Sequence, residues 1–200
     1  TMSLWESKES NGKVSLASLF EGDADVAAIS DLTIEGLAYA TCRGGWPAST
    51  KLKEKAALRV ARNYVEEVIN YDVHRVDGVD KNTTRVRKLL ESYARNISTM
   101  AANETIMADV RATDQTISPN TFAIYLSALR RIFIVDDVPA WSPALRSKTK
   151  IRTSPKRHFV DPSIAVALMG TNPQGLLKDF PTFGFLFEDL CARDLRVYAQ

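Results

Sequence analysis

The residues whose types and spacing could do chemistry are concentrated in a basic arm that follows the middle of the chain. The arm runs from Pro143 to Arg157 and carries no acidic residue among its six cations, Arg146, Lys148, Lys150, Arg152, Lys156 and Arg157. If the arm is extended, the alternation at 148, 150 and 152 places three cationic side chains on one face. Such a row can lie along a phosphate backbone, or it can pair with an acidic surface on a partner domain. We therefore predict nucleic-acid contact by the arm, with domain docking as the alternative.

A helix predicted before the arm supplies a second candidate surface for nucleic acid. A serine–proline pair at 118–119 starts this helix, and apolar residues then recur at helical spacing. Its outward-facing candidates, two in the first turn and two in the last, are Asn120, Thr121, Arg130 and Arg131. Base contacts of a recognition helix come mainly from its first turns, which here hold no Arg or Lys. We therefore predict contacts to phosphates in preference to sequence-specific reading of bases.

Composition and charge are those of an ordinary globular protein. The chain has 200 residues, of which 45% are hydrophobic and 25% are charged, and its net charge is +2. No apolar run approaches the ~20 residues that cross a bilayer and no signal peptide opens the chain, so we expect no membrane partner. Cys42 and Cys191 have no metal-ligand spacing, which favours a reducing, cytoplasmic location. Between Lys81 and Val160 the balance of charge is 14 − 6 = +8, which either attracts polyanions or marks a solvated face.

Other residue types that often do chemistry are better explained by structure. His74 and His158 each lack a second histidine nearby, so we interpret both as structural and not as metal ligands or bases. Asp161 precedes a proline and an apolar segment, and it is predicted to cap a helix there. These patterns predict no metal-binding and no cofactor-binding residue.

Hydrophobic periodicity predicts a mainly α-helical fold. Long helices are expected around 52–71, 86–97 and 118–131. The β-branched and aromatic run at 132–135 is typical of a short buried strand, and 158–160 would be a returning strand. A helix, a turn, a second helix, a strand, the basic arm and a second strand together predict a winged helix-turn-helix core with a small β-hairpin wing.

The chain divides into four predicted regions. They are a linker at 1–30, a helical region at 31–80, a winged-helix-like region at 81–161, and helices that begin a further domain at 162–200. The final segment is an amphipathic helix that needs a surface to cover. We therefore expect the chain to be a fragment of a longer protein.

Four stretches carry a resemblance to a known family: MSLWESKESNGKVSL, CRGGWP, the run from Tyr125 through WSPALRS to KRHFVDPSIA, and FGFLFEDLCARDLRVYA. In this order they resemble the region after the ATPase core in prokaryotic AAA-type ATP-binding proteins with a C-terminal domain of unknown function. The resemblance spans nearly the whole chain. It implies a linker from an absent ATPase core at 1–30, then a winged-helix region, and from 162 the start of a truncated, restriction-endonuclease-like domain.

The resemblance implies ATP and Mg²⁺ for the absent core, while this chain lacks the motif that binds them. A phosphate-binding loop has the pattern G-x-x-x-x-G-K-[ST]. The only Gly-Lys pair, Gly12-Lys13, has Ser7 at the required glycine position and Val14 after it. In the nuclease-like fold, Glu188 would match the glutamate of the first helix, with an Asp and a Glu-x-Lys set expected downstream. Glu188 is therefore the one candidate catalytic residue, and no cofactor is expected in the fragment.

Three hypotheses of function follow. The first is a non-catalytic module that couples the absent ATPase to nucleic acid or to the C-terminal domain. The second is a protein-interaction module without nucleic acid, in which the basic arm docks on the ATPase core or on another copy of the chain. The third is part of a nuclease-like enzyme that is completed beyond residue 200.

Overall fold

Helices dominate the part of the chain that the structure describes. The computed structural model describes residues 1–22, 27–144, 146, 148 and 152–199. The helices in these ranges are α1 Leu16–Phe20, α2 Ile34–Arg43, α3 Glu54–Glu67, α4 Thr83–Arg95, α5 Asn103–Arg111, α6 Pro119–Arg131, α7 Pro162–Met169, α8 Pro173–Leu176 and α9 Phe180–Tyr198. A short 3₁₀ turn, Ser49–Lys51, precedes α3, which continues through a π-helical turn at Val68–Asp72 into Val73–Arg75. The prediction of a mainly helical fold is confirmed, and none of these helices is long and apolar enough to span a membrane.

Side-chain caps explain where several of the helices begin. Asn82, Ser118 and Asp161 each precede a helix and accept a hydrogen bond from a backbone N–H in its first turn. Proline occupies the start of α6 and α7, where its missing N–H would have no partner in the helix. The predicted start of α6 and the predicted cap at Asp161 are confirmed.

One hydrophobic core joins the long helices, and α7 lies at its centre. This helix is apolar on nearly every side, and Ile164, Ala165 and Val166 are buried. An all-apolar helix needs neighbours around it, and α7 packs against α2, α3, α4 and α9. The core therefore draws residues from all three regions predicted after residue 30, although the boundaries of those regions remain predictions.

The predicted β-hairpin wing is not supported by the described residues. The segments 134–138 and 156–160 run antiparallel, but they make only isolated bridges, at Val135 and at Val138. Val135 and its partner Phe159 are buried in the hydrophobic core. The paired segments thus belong to the core of the helical fold and do not project from it as a wing.

Backbone geometry explains why the pairing stays short. The helix α6 runs to Arg131, and Phe133 then adopts a left-handed conformation with φ 57°. The predicted strand at 132–135 consequently loses its first half. At the other end, Pro139 lacks the N–H that a further backbone pair would need.

Candidate functional site: a buried polar joint and an exposed helix face

Four distant parts of the chain meet in a buried polar cluster, which we call the polar joint. It comprises Met2, Leu4, Glu9, Arg43, Gly44, Gly45, Asp161, Ser163, Arg193 and Asp194. These residues come from the N-terminal segment, the end of α2, the start of α7 and the C-terminal half of α9. The polar joint therefore connects the N-terminal segment to α9 through the middle of the fold.

Asp161 lies at the centre of the polar joint because it caps α7. Its Oδ1 accepts hydrogen bonds from the Ser163 N–H at 3.0 Å and from the Ser163 hydroxyl at 2.6 Å. Its Oδ2 accepts from the Gly45 N–H at 2.9 Å and from Arg193 Nη1 at 3.0 Å. Four donors thus satisfy a carboxylate that is fully buried. The cap that the sequence predicts also anchors α2 and α9.

Arg193 supplies the positive charge of the polar joint. Its Nε and Nη2 donate to Asp194 Oδ1 at 2.9 and 2.7 Å, while Nη1 donates to Asp161. Asp161, Arg193 and Asp194 are 0%, 5% and 6% exposed. Burial by itself would lower the pKa of Arg193, but the two carboxylates outweigh it and the pKa is raised. The guanidinium therefore stays charged, and both carboxylates depend on it for neutralisation.

Backbone and side-chain bonds fasten the N-terminal segment to the polar joint. The Met2 N–H donates to the Gly45 carbonyl at 2.7 Å, and the Leu4 N–H donates to Asp194 Oδ2 at 3.0 Å. An ion pair between a glutamate of this segment and Arg43 adds a contact to the end of α2. The segment is consequently held by both α2 and α9.

Two glycines make this close approach possible. Gly44 has a left-handed backbone with φ 73°, and a Cβ there would lie 2.4 Å from Ser163 Oγ. A Cβ at Gly45 would lie 2.0 Å from the carbonyl oxygen of Met2. Both distances are far shorter than the ~3.5 Å of a favourable nonbonded contact. Only glycine therefore fits at either position without a shift of the backbone or of the polar joint.

The polar joint leaves no room for a substrate. The cavity beside Ser163 has a volume of about 20 Å³ and is also lined by Cys42. Such a volume accommodates about one water molecule. Burial raises the pKa of the Cys42 thiol to about 12, so this cysteine is not a nucleophile at neutral pH. The arrangement indicates a structural connection and not a catalytic centre.

A second buried pair ties α9 to the segment 156–160. His158 Nδ1 lies 2.7 Å from Asp189 Oδ1, and the two side chains are 2% and 0% exposed. The other carboxylate oxygen, Asp189 Oδ2, is buried without a hydrogen-bond partner. Burial raises the pKa of Asp189 to about 6, although the hydrogen bond with His158 opposes the rise. The interpretation of His158 as a structural residue agrees with this contact.

We expect the Asp189 carboxyl to make the fold less stable as the pH rises from about 4 to 6. The unfolded chain releases this proton near the ordinary value of 3.8, whereas the folded chain keeps it up to about 6. The unfolded state therefore binds fewer protons in this window, and the free energy of unfolding falls by at most about 3 kcal/mol. Urea unfolding of the wild type and of Asp189→Asn between pH 4 and 7 measures the effect.

The variant Asp31→Asn, which changes an exposed carboxylate, is the matched control. Its stability should follow the wild-type pH profile, while the free energy of unfolding of the wild type should fall relative to that of Asp189→Asn as the pH rises through the window. Parallel profiles for all three proteins would show that Asp189 titrates as an ordinary carboxyl.

Three of the cations that the sequence predicts for nucleic acid form ion pairs within the chain. Arg157 is 1% exposed and forms an ion pair with Asp137 at 3.1 Å. Arg130 binds the same carboxylate at 2.7 Å. Lys156 forms an ion pair with Glu188, the candidate catalytic residue. These cations contribute to the internal structure, and their charge is already opposed by a carboxylate.

The other predicted nucleic-acid residues lie mostly on the surface. Thr121 is half-buried at the start of α6, where its hydroxyl oxygen lies 2.9 Å from that of Ser118. Lys150 lies outside the described residues. The exposed members of the set are Asn120, Arg131, Arg146, Lys148 and Arg152. The predicted binding residues thus include one buried ion-paired cation, Arg157, two ion-paired cations that reach the surface, and an exposed unpaired part. Binding itself stays a prediction.

The Gly12-Lys13 turn does not fit the phosphates of a nucleotide. The Gly12-Lys13 pair would need an open glycine backbone to hold phosphates, but a Cβ at Gly12 would lie 2.6 Å from Trp5 Nε1, so the indole fills this space. Across the described ranges, no group of three or more His, Cys, Asp or Glu residues could hold a metal ion.

The sequence did not reveal the members of the polar joint as partners of one another. One signal was present, because Arg193 and Asp194 follow one another within the amphipathic motif FGFLFEDLCARDLRVYA. Charged residues that fall on the inner side of an apolar helix must be paired when they are buried. The partner of Arg193 is Asp161, which lies 32 positions earlier in the chain. Only the tertiary fold brings these two residues together.

One side of α9, which we call the outer face, is apolar and largely exposed. Its four large residues are 58%, 43%, 52% and 41% exposed: Phe180, Phe187, Leu195 and Tyr198. At 3.6 residues per turn they lie within a sector of about 80°, with Cys191 among them. A cleft of about 440 Å³, lined in part by Leu195 and Val138, borders this face. An aligned, exposed apolar row of this kind is a candidate interaction surface.

No curated protein and no solved structure matches this chain. The family described as "Domain of unknown function (DUF8612)" matches residues 34–175, which is more than half of the chain. The matched range contains the α2 and α7 parts of the polar joint, while the N-terminal segment and α9 lie outside it. The chain belongs to the Domain of unknown function (DUF8612) family.

Proposed function

We propose that this chain is a non-catalytic coupling module of an AAA-type ATP-binding protein, placed between the ATPase core and a nuclease-like C-terminal domain. The observation that carries the proposal is the polar joint, because it fastens the N-terminal segment to α9 across the fold. In a protein of this organisation the segment comes from the ATPase core and α9 leads into the C-terminal domain. A displacement of either end then reaches the other through buried hydrogen bonds and ion pairs.

The stretches that carry the family resemblance support this proposal, because all four contribute to the polar joint. They supply Leu4, Gly45, Asp161 and Arg193, which are linked by hydrogen bonds at 2.9 to 3.0 Å or through Asp194. Buried ion pairs contribute little net stability relative to apolar packing, and their best-attested use is to favour one arrangement over alternatives. A fixed arrangement of the two chain ends is what a coupling module requires.

The outer face of α9 supplies the surface for the neighbouring domain in this proposal. The N-terminal segment borders the same region, since Trp5 is 59% exposed and lines a cleft of about 370 Å³ together with Tyr198. We propose the remainder of the nuclease-like domain of the same protein as the occupant, because the resemblance places the start of that domain at 162–200 and its remainder after α9. A second copy of the chain is the competing occupant.

ATP and Mg²⁺ are assigned to the ATPase core in this proposal, and no residue of this chain is given a role in binding them. The described residues support that division, since the Gly12 turn is filled by Trp5. Glu188 is likewise given a structural role, as the ion-pair partner of Lys156.

Two glutamates introduced on the outer face by substitution are expected to separate the neighbouring domain from α9 without unfolding this chain. Phe187→Glu combined with Leu195→Glu changes residues that are 43% and 52% exposed, so the isolated chain should lose less than about 1 kcal/mol of stability. In the full product of the gene, the same charges would be buried against a domain that offers them no partner. Limited trypsin digestion should then release the C-terminal domain at least about tenfold faster than in the wild type.

The matched control places two glutamates on other exposed apolar positions, Met100 and Ile124, which are 63% and 42% exposed. Met100→Glu with Ile124→Glu should leave the digestion unchanged. The proposal is contradicted by unchanged digestion of the outer-face variant or by a gene that encodes no domain after α9. It is also contradicted if the isolated wild-type chain forms a dimer and the outer-face variant does not. That result would identify a second copy of the chain as the occupant.

A further inference from the structure

Phe133 is an exposed aromatic residue on a strained backbone. It follows the end of α6 with φ 57°, and the Ile134 N–H donates back to the Leu129 carbonyl at 3.2 Å, as in a helix C-cap that favours glycine. For a bulky residue this conformation is strained, because it brings the Cβ too close to a backbone carbonyl oxygen. Burial does not offset the strain, since the side chain is 75% exposed. The position therefore combines a strained backbone with an aromatic ring in solvent.

A second exposed aromatic residue lies beyond the other end of the short paired segment. Trp141 is 79% exposed and follows Val138, the last bridged residue. Seven residues separate the two aromatic residues, and two of them, Val135 and Val138, bridge to the antiparallel segment 156–160.

Unpaired cations accompany the two aromatic residues, and the nearby acids are occupied. Asp136 forms an ion pair with Arg196, and Asp137 binds Tyr93, Arg130 and Arg157. Between positions 131 and 152, four exposed cations form no ion pair with another described residue: Arg131, Arg146, Lys148 and Arg152. We call these four cations, with Phe133 and Trp141, the aromatic–basic edge. Its charge attracts a polyanion, and its rings offer flat apolar surfaces in solvent.

We propose that the aromatic–basic edge binds single-stranded nucleic acid, with bases stacked on Phe133 and Trp141 and phosphates held by the four cations. This role goes beyond domain coupling and does not depend on it. Stacking on exposed rings requires unpaired bases, and it tolerates any sequence because every base has a flat face. Specific reading of a duplex would instead need base contacts from the start of a helix in its groove, and the first turn of α6 carries neither Arg nor Lys. An acidic protein partner would use the cations but would not need the rings.

Fluorescence anisotropy of a labelled oligodeoxythymidine of about 16 nucleotides, titrated with the isolated chain, tests the proposal. The oligonucleotide should bind more tightly than a duplex of the same length, and its affinity should fall between ~50 mM and ~200 mM salt. Phe133→Gly and Trp141→Ala should each weaken binding about tenfold. Phe133→Gly should also raise Tm by about 2–4 °C, because glycine adopts the left-handed conformation without strain. A variant that is more stable but binds more weakly has lost a contact with the oligonucleotide, and its weaker binding cannot result from unfolding.

The control variant is Phe20→Ala, which removes an aromatic side chain that is 85% exposed and lies in α1, outside the edge. It should bind the oligonucleotide as the wild type does. The proposal is overturned if the wild type does not bind at low salt, or if the duplex binds as tightly as the single strand. It is also overturned if both aromatic variants bind like the wild type, because only charge would then be at work.

Discussion

Arg193→Leu is expected to lower the free energy of unfolding by about 3–5 kcal/mol, the largest loss predicted for a single side chain of this protein. Arg193 neutralises Asp161 and Asp194, which are 0% and 6% exposed. The leucine fills much of the space but leaves two buried carboxylates without a cation. Urea unfolding followed by circular dichroism at neutral pH measures the loss.

The matched control for this prediction is Arg196→Leu, one turn further along α9. Arg196 forms an ion pair with Asp136, but its side chain is 33% exposed, so water replaces the lost partner. The free energy of unfolding of this control variant should fall by no more than about 1 kcal/mol. Equal losses for the two variants would mean that the polar joint contributes no more than a surface ion pair does.

Gly45→Ala is expected to release the N-terminal segment and to destabilise the fold by about 1–3 kcal/mol. The new Cβ would lie 2.0 Å from the carbonyl oxygen of Met2, so the segment must move away from α2. The Met2–Gly45 hydrogen bond is lost with this movement. Trypsin cleavage after the exposed Lys8 should become faster, and urea unfolding should show the loss of stability.

A glycine in open space is the control for Gly45→Ala. Gly184 lies in α9, and no atom of the described residues outside its own helical backbone lies within 4 Å of the position that a Cβ would take there. Gly184→Ala should therefore stabilise the chain by about 0.5–1 kcal/mol, because alanine favours a helix more than glycine does. If Gly45→Ala behaves in the same way, the N-terminal segment does not depend on its contact with α2.

The helical part of the fold could be predicted because it follows from local rules. The apolar spacing along α3, α4 and α6 has the helical period, and the caps at Ser118 and Asp161 are signalled by the proline that follows each of them. The β-hairpin wing could not be predicted correctly. The run at 132–135 has strand composition, but the end of α6 forces Phe133 into a left-handed turn.

Prediction of the candidate sites has a similar limit, because a sequence shows which residues are charged but not which residues they pair with. Arg157 and Lys156 have the composition of a phosphate-binding arm, yet Arg157 is buried beside Tyr93, 64 positions earlier in the chain. The proline after Asp161 predicts a helix cap, whereas the ion pair of Asp161 with Arg193 joins residues 32 positions apart. Such long-range pairs depend on how helices pack, which local periodicity does not specify.

The central claim, that the outer face of α9 is covered by a neighbouring domain in the whole protein, is tested most directly by the alkylation rate of Cys191. This thiol lies on the outer face and is partly exposed, whereas Cys42 is buried and serves as the internal control. Burial raises the pKa of Cys191, so the alkylation rates of the isolated chain and of the full product of the gene must be compared at the same pH. Cys191 should react in the isolated chain and at least about tenfold more slowly in the full product of the gene. Equal rates in the two proteins would contradict the account.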